Sequence, residues 1–366
     1  MNYYPETLQQ LRDYRDHDSL SQSFLKQVIS NNTKPFKETI PMLIGSYLDA
    51  LLTTVSLAND MFQVGLAKRP SEAIKGFIDR LWSEQEEVIS TNLDVEGYKN
   101  RILEFVREAK YQSNWTDDPI WKSILKDGQD YWQELCSSQG KIIITKDEHT
   151  LCTTIAALTL SSSITAKYFL DQKNVDKHYQ KDLYWISEGE LCKGLLDLLI
   201  IEHETKTIYV TDIKSTGIFS LEEWFRMASQ KGYIFQMSFY LEGVIQNYQH
   251  LLDEGYTIQC RWIVIPTNVE RFKPWVIPCT EEMLHFGENG YIRQSSLYYK
   301  DIESFNLDNE DGKMIVTGGT KQVRGWRYAI QQYKRCKSEG LVDYDLQWFD
   351  YGGKLPEKRS NELFFN

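Results

Sequence analysis

The stretch from Glu190 to Tyr240 most constrains what this chain can fold into. Two apolar runs flank the polar turn EHETK, and each carries an aspartate, Asp197 or Asp212, where a core strand normally has an apolar residue. Successive side chains of a strand point to opposite faces, so Asp212 and Lys214 leave their strand on the same face. Because an apolar surrounding disfavours an unpaired carboxylate, the two aspartates and the lysine predict a site for a divalent cation.

Mg²⁺ or Mn²⁺ is the expected cofactor, since both ions prefer hard oxygen ligands. The predicted ligands are the carboxylates of Asp197 and Asp212, with the carbonyl of Ile213 as a backbone ligand. Such an ion polarises a phosphodiester and lowers the pKa of bound water. We expect Lys214 to orient or deprotonate that water and to stabilise negative charge in the transition state. An Asp-x-Lys pattern alone also occurs as chance surface charge, but here both aspartates lie in apolar strands.

A second motif follows in the segment GYIFQMSFY, where Gln236 and Tyr240 are one helical turn apart and share a face. Beside a metal site, this pair could hold a phosphate and stack on a base. The alternative is an amphipathic helix whose polar face carries both residues without a function. Thr216, just after the second apolar run, is a further candidate phosphate contact, against a simple role in ending the strand.

A third carboxylate lies far upstream in the segment MLIGSYLDALLTTVSL at 42–57, which is apolar nearly all round and predicts a buried helix. Gly45 allows close packing, and Asp49 lies one turn later on the same face. A carboxylate in such a helix either pairs with a basic residue or faces a polar site. Together with the central stretch, this pattern makes Asp49 a candidate metal ligand.

The composition excludes some functions. A net charge of −11 argues against a general nucleic-acid coat protein, although a local basic groove can coexist with an acidic surface. Six cysteines without a CxxC spacing predict reduced thiols in a cytoplasmic protein. No apolar run approaches the roughly 20 residues of a membrane span, so no membrane partner is expected. The candidate basic residues for a DNA track are Lys167, Lys173, Lys177, Lys231, Arg324, Arg327, Lys334 and Arg335.

The periodicity predicts a mixed α/β organisation. Helices are expected at 24–29, 42–57, over much of 60–140, and at 147–170, 221–227, 232–248 and 320–336. The expected strands are 183–201, 207–214, 259–266 and, more weakly, 273–277. Trp82, Trp115, Trp121 and Trp132 are expected core residues. We expect a mainly helical region over 1–180 that contributes one active-site helix, a core over 181–340 and an irregular tail over 341–366.

These motifs together resemble the RecB/RecE-type nucleases of the PD-(D/E)xK superfamily, and most closely the phage exonuclease VIII-like proteins. The matching segments are KGLLD, VTDIKST and GYIFQMSFY, which contain the central aspartates, the lysine and the Gln-Tyr pair. IGSYLDALL is similar to the family's Gly-x-x-x-His motif, with Asp49 where a histidine often stands. Leu196 replaces the proline that gives the superfamily its name, and the four-cysteine iron–sulfur pattern of some relatives is not present. The resemblance spans roughly residues 19–335.

The resemblance implies a restriction-endonuclease-like mixed sheet flanked by helices, with a large helical N-terminal region. It implies a Mg²⁺-dependent exonuclease that degrades DNA from a free end in phage-type recombination or repair. A single-strand annealing protein is then a candidate partner, and the host cytoplasm the expected location if a phage encodes the chain. The alternatives are a structure-specific or restriction-like endonuclease and a non-catalytic DNA-binding protein on a nuclease fold. Polarity, strand preference, oligomeric state and the number of metal ions stay open.

Overall fold

The computed structural model describes residues 2–3, 8–30, 39–85, 90–294 and 320–338. The helices of these segments are α1 Leu8–Asp16, α2 Gln22–Ser30, α3 Ile40–Thr53, α4 Val55–Met61, α5 Glu72–Glu84, α6 Glu96–Glu108, α7 Asp117–Ser137, α8 Lys146–Ser161, α9 Ala166–Phe169, α10 Leu221–Lys231, α11 Tyr233–Asn247, α12 Gln249–Asp253, α13 Glu281–Asn289 and α14 Trp326–Ser338. The strands are β1 Asn2–Tyr3, β2 Phe62–Leu66, β3 Ile142–Thr145, β4 Val175–Ser187, β5 Glu190–Glu202, β6 Thr207–Thr216, β7 Thr257–Pro266, β8 Trp275–Cys279, β9 Gly290–Gln294 and β10 Thr320–Arg324. None of the described helices has both the length and the apolar character that crossing a membrane would need.

The main sheet is mixed and has the strand order β1-β4-β5-β6-β7-β8. The pairs β4–β5, β5–β6 and β7–β8 are antiparallel, whereas β6 and β7 are parallel and are joined by a crossover through α10, α11 and α12. A parallel pair needs a crossover of this kind because its strands start at the same edge. The prediction of a mixed α/β fold is therefore confirmed.

The two central strands separate halfway along their length. β5 pairs with β6 only from Leu198 to Glu202, while β6 continues beside β7 as far as Thr216. Leu20 lies in the gap beside the first half of β5. Its N–H donates to the carbonyl of Leu191 at 2.9 Å, and its carbonyl accepts from the Lys193 N–H at 2.9 Å. This fork between β5 and β6 opens next to the two aspartates of the central stretch.

Three buried clusters support the structure. The first, the α11 core, lies on one face of the sheet and includes Leu183, Trp185, Leu196, Trp224, Phe239 and Trp262. The α3 core lies on the opposite face and includes Tyr47, Leu48, Tyr179, Leu198, Ile213 and Ile263. The helical core joins α5, α6 and α7 and includes Ile78, Phe105, Trp121 and Trp132. The α11 core and the α3 core meet at the fork, beside the aspartates of β5 and β6.

The predicted single strand over 183–201 is wrong. β4 ends at Ser187 and β5 begins at Glu190, because Glu188 and Gly189 have φ values of 51° and 82° and form a two-residue turn. Two positive φ values are typical of the tight turns that suit the twist of a hairpin. The sequence pattern concealed this turn because two residues are too few to interrupt a long apolar run.

Other differences are smaller. Trp115 is 54% exposed, and so does not belong to the core as predicted. The helix expected at 320–336 starts only at Trp326, because 320–324 forms β10 and pairs with β9. The helix expected at 147–170 ends at Ser161. The expected tail at 341–366 lies outside the described residues, and the division at residue 180, which β4 spans, stays a prediction.

Candidate metal-binding active site

Asp212 on β6 is almost completely buried, with 2% of its surface exposed. The Lys214 Nζ lies 2.8 Å from its Oδ1 and 2.7 Å from its Oδ2. The Gln236 Nε2 donates to the same Oδ1 at 3.1 Å, and also to the Tyr240 hydroxyl at 3.3 Å. Strand alternation places Asp212 and Lys214 on one face and helical spacing does the same for Gln236 and Tyr240, as the sequence predicts. The packing of α11 against β6 brings the two pairs together.

Asp197 lies at the point where β5 separates from β6. Its Oδ2 accepts a hydrogen bond from the backbone N–H of Ile213 at 2.8 Å. β5 and β6 no longer pair at this point, so the Ile213 N–H lacks a partner on the β5 backbone. The Asp197 carboxylate accepts its hydrogen bond instead, and this satisfies the donor near the core. One side-chain contact thus ties the middle of β5 to the residue between Asp212 and Lys214.

Asp49 reaches the site from α3. A Cβ added to Gly45 would lie 2.9 Å from the Ser215 Oγ on β6, so a glycine at this position lets α3 approach the strand closely. The Asp49 Oδ2 accepts a hydrogen bond from the Gln180 Nε2 at 2.8 Å. Its other oxygen, Oδ1, is buried without a hydrogen-bond partner. A buried acceptor without a donor is costly, and it is the type of atom that a cation satisfies.

The charges of these groups act on one another's pKa values. Burial, and then the neighbouring charge of Asp212, raise the pKa of Asp49 to about 7 and hold the pKa of Asp197 well above its usual range. Burial opposes the charged form of Lys214, but the charges of Asp212 and Asp197 outweigh it and raise the pKa of this lysine. Lys214 therefore keeps its proton at neutral pH when no cation is bound. A neighbouring cation alone would instead lower the pKa of this lysine.

The donor set fits a hard divalent cation. Three carboxylates from three elements repel one another, and a cation would relieve that repulsion and satisfy the Asp49 Oδ1. In the described part of the chain, no three His, Cys, Asp or Glu side chains lie close enough together to form a complete metal centre. Protein donors instead engage at least one oxygen of each of the three carboxylates. The assignment of Asp49, Asp197, Asp212 and the Ile213 carbonyl as ligands stays a prediction.

The residues expected to contact substrate face inward. Gln236 and Tyr240 are 9% and 5% exposed, and the Tyr240 ring packs over Gly194, where an added Cβ would lie 2.9 Å from its Cδ1. The Thr216 Oγ1 accepts from the N–H of Ile218 at 3.1 Å in a local turn. The geometry supports a role for Gln236 in holding Asp212. Phosphate and base contacts by Gln236, Tyr240 and Thr216 stay predictions.

Two further residues border the site and were missed in the sequence. Gln180, in the middle of β4, holds Asp49 through its side-chain amide. Lys26 of α2 donates to the carbonyl of Lys231 at 3.3 Å and lies 5.8 Å from the ring centre of Phe235. Burial and then the charge of Lys214 lower the Lys26 pKa to about 7. Strand or helix periodicity gives no signal for either residue, because it does not distinguish a polar side chain that faces solvent from one that faces a site formed by other segments.

Some of the basic residues proposed for a DNA track have structural roles. Lys177 is completely buried and donates to the carbonyls of Lys167, at 2.8 Å, and Leu170. Arg327 makes ion pairs with Glu188, at 2.7 Å, and Glu288, at 2.5 Å. The placement of Lys177 in a basic groove is therefore wrong, because a buried ammonium group cannot reach a phosphate.

Comparison with known proteins gives little guidance. No protein-family profile and no curated protein matches the chain. A crystal structure of a protein from Eubacterium rectale, provisionally named an exonuclease, is 15% identical, and the match covers 62% of this chain and 76% of that chain with a TM-score of 0.27. A likeness at this TM-score is too weak to show fold or activity, so the function has to be inferred from the geometry of the site.

Proposed function

We propose that this chain is a divalent-metal-dependent nuclease that hydrolyses DNA phosphodiester bonds in a core of the PD-(D/E)xK type. The observation that carries the proposal is the convergence of carboxylates from α3, β5 and β6 beside a lysine of β6. An ion pair needs one carboxylate and one basic group, whereas here three carboxylates surround one lysine, so their ionisation leaves a surplus of negative charge. A divalent cation is the ligand that this surplus favours.

The chain's own residues have separable tasks in this proposal. Asp49, Asp197 and Asp212 would hold Mg²⁺ or Mn²⁺, and the bound ion would polarise the phosphodiester and lower the pKa of the attacking water. Gln236 orients Asp212 through the bond to its Oδ1. Lys214, which carries its proton in the cation-free site, supplies positive charge where negative charge grows on the phosphate. We assign the attack to water, because a divalent cation bound at this site would lower the pKa of a water molecule.

The finer assignment rests on the resemblance of the sequence motifs. We propose an exonuclease that starts from a free DNA end, serves phage-type recombination or repair, and works with a single-strand annealing protein. Its membership of the RecE-type nucleases is supported by the joint presence of Asp197, Asp212, Lys214, Gln236 and Tyr240.

The first test is digestion of end-labelled linear duplex DNA with Mg²⁺ or Mn²⁺. We expect Asp212→Asn and Lys214→Ala to lose at least ~10²-fold in rate, because each removes a group that acts on the developing charge. The exposed Asp182→Asn variant, on β4 outside the site, is the matched control and should digest DNA as the wild type does. Digestion at the wild-type rate by a folded Asp212→Asn or Lys214→Ala protein would refute the mechanism.

The second test compares linear and covalently closed circular DNA. An exonuclease degrades the linear duplex and leaves the closed circle intact, whereas an endonuclease nicks or linearises the circle. A non-catalytic DNA-binding protein leaves both substrates intact under conditions in which it binds DNA and Mn²⁺. Label release at the earliest time points also gives the polarity, since a 5′ label and a 3′ label leave at different times.

A further inference from the structure

Gln180 has an unusual backbone conformation for the middle of a strand. Its φ is 45°, in the left-handed region that residues other than glycine rarely adopt. The ladder between β4 and β5 pairs Tyr179 with Leu198 and Lys181 with Leu196, so Gln180 stands directly opposite Asp197. Conformations of this kind cost free energy and persist where the surrounding structure holds them, often at functional sites.

The two faces of the hairpin exchange at this pair of residues. On one side of the pair, Tyr179 and Leu198 belong to the α3 core. On the other side, Leu183 and Leu196 belong to the α11 core, although strict alternation would keep residues of the same parity on one face. At Gln180, where φ is positive, side chains of the same parity therefore change from one face of the sheet to the other. Asp197, opposite Gln180, lies at the boundary between the two cores. This boundary is the fork at which its carboxylate reaches β6.

The side chain of Gln180 contacts the third carboxylate. Its Nε2 lies 2.8 Å from the Asp49 Oδ2 and 3.3 Å from the Oγ1 of Thr53, which is fully buried one turn further along α3. The Thr53 Oγ1 in turn donates to the backbone carbonyl of Asp49 at 2.8 Å. The amide thus engages one oxygen of Asp49, and the buried Oδ1 is the oxygen without a partner.

We propose that Gln180 is a positioning residue of the metal site, whose amide fixes the Asp49 carboxylate so that Oδ1 is left for the divalent cation. This inference rests on the proposed function. A glutamine suits the task because its amide donates a hydrogen bond without adding a fourth negative charge beside Asp49, Asp197 and Asp212. Partners of this kind orient a ligand, and their loss typically weakens metal binding.

The test measures Mn²⁺ binding to the full chain by calorimetry or by the loss of the free-ion EPR signal. Gln180→Met removes the amide at similar volume, and we expect Mn²⁺ affinity to fall about 10- to 100-fold. Gln139→Met is the matched control, because Gln139 is an exposed glutamine at a similar φ of 53° in the connection before β3. The control should bind Mn²⁺ as the wild type does.

Two more variants separate the amide from the backbone and from a general loss of folding. Gln180→Gly accepts a positive φ without strain but has no amide, so it should lose Mn²⁺ affinity as Gln180→Met does. In an Asp49→Asn background, adding Gln180→Met should change Mn²⁺ affinity little further, because the carboxylate that the amide orients is already absent. The thermal midpoint of the metal-free variants, measured in parallel, verifies that each is folded.

The outcomes distinguish this inference from the proposed function. If the wild type binds Mn²⁺ and cleaves DNA, but Gln180→Met and Gln180→Gly bind the ion equally well, the positioning role is refuted and the nuclease proposal stands. If Gln180→Met loses Mn²⁺ affinity but Gln180→Gly binds the ion as the wild type does, the loss in the methionine variant comes from the backbone. This result would also refute the role of the amide. If the wild type neither binds Mn²⁺ nor cleaves DNA, both proposals fail.

Discussion

Glycines let the side chains of the site approach one another. A Cβ at Gly194 would lie 2.9 Å from the Tyr240 Cδ1 and 3.3 Å from the Trp185 ring. We expect Gly194→Ala to lower the free energy of unfolding by ~1–3 kcal/mol, since neither ring has space to move in a packed core. Gly76→Ala, in α5 with no atom within 4 Å of the added Cβ, should instead raise it by about 0.5–1 kcal/mol. Urea unfolding measures both changes, and an unaltered midpoint in Gly194→Ala would show that the rings adapt.

His178 gives a prediction for acid stability. Burial, and then the charge of Lys181, lower its pKa from 6.5 to about 4 in the folded protein. Because the folded state binds the proton less readily than the unfolded state, the contribution of the neutral ring is fully present above pH ~6.5 and is lost as the pH falls towards ~4. We expect His178→Gln to reduce the loss of thermal stability across this pH range. The exposed His250→Gln is the control, and equal pH profiles for both variants would contradict the prediction.

At the scale of elements, a buried lysine connects α1 to the central sheet. Lys193 of β5 is completely buried, and its Nζ donates to the carbonyls of Tyr14, Arg15 and His17 at 3.2, 2.8 and 2.9 Å. These carbonyls lie at the C-terminal end of α1, where a helix leaves its last acceptors without partners. The lysine therefore caps a helix that belongs to a different part of the chain.

We expect Lys193→Met to lower the free energy of unfolding by ~1–3 kcal/mol, because it leaves buried carbonyls without a donor. Hydrogen exchange should accelerate first in α1 and at the bridge made by Leu20, before the rest of β5 is affected. Lys206→Met is the control, since Lys206 is exposed and its Nζ donates to one carbonyl, that of Glu254, at 2.8 Å. Uniform exchange changes over the whole chain in Lys193→Met would contradict a local capping role.

At the scale of the whole molecule, a cation bound by three elements should stabilise the fold. An ion at ~100 times its Kd adds about 2.7 kcal/mol if it binds only the folded state. We therefore expect Mn²⁺ or Mg²⁺ to raise the thermal midpoint of the wild type and of the exposed-site control Asp182→Asn. Asp197→Asn should show little response to either ion, and an equal rise in this variant would place the binding elsewhere.

The central motifs were predictable because they depend on local geometry. Asp212 and Lys214 share a face through strand alternation, Gln236 and Tyr240 through helical spacing, and Gly45 and Asp49 through the same rule one turn apart. The mixed α/β fold and most helices followed from periodicity as well. The hairpin turn at Glu188 and Gly189 did not, because two residues scarcely alter an apolar pattern.

Local sequence rules thus specify which chemical groups are present and which near neighbours share a face. The tertiary structure decided which elements meet: α3 reaches β6 because Gly45 leaves room beside Ser215, and Asp197 bridges to Ile213 because β5 and β6 separate there. It also decided that Gln180 contacts Asp49, since a positive φ at one strand position has no signature in periodicity. Contacts between segments more than a hundred residues apart depend on packing of the whole core, and no local rule of spacing contains that information.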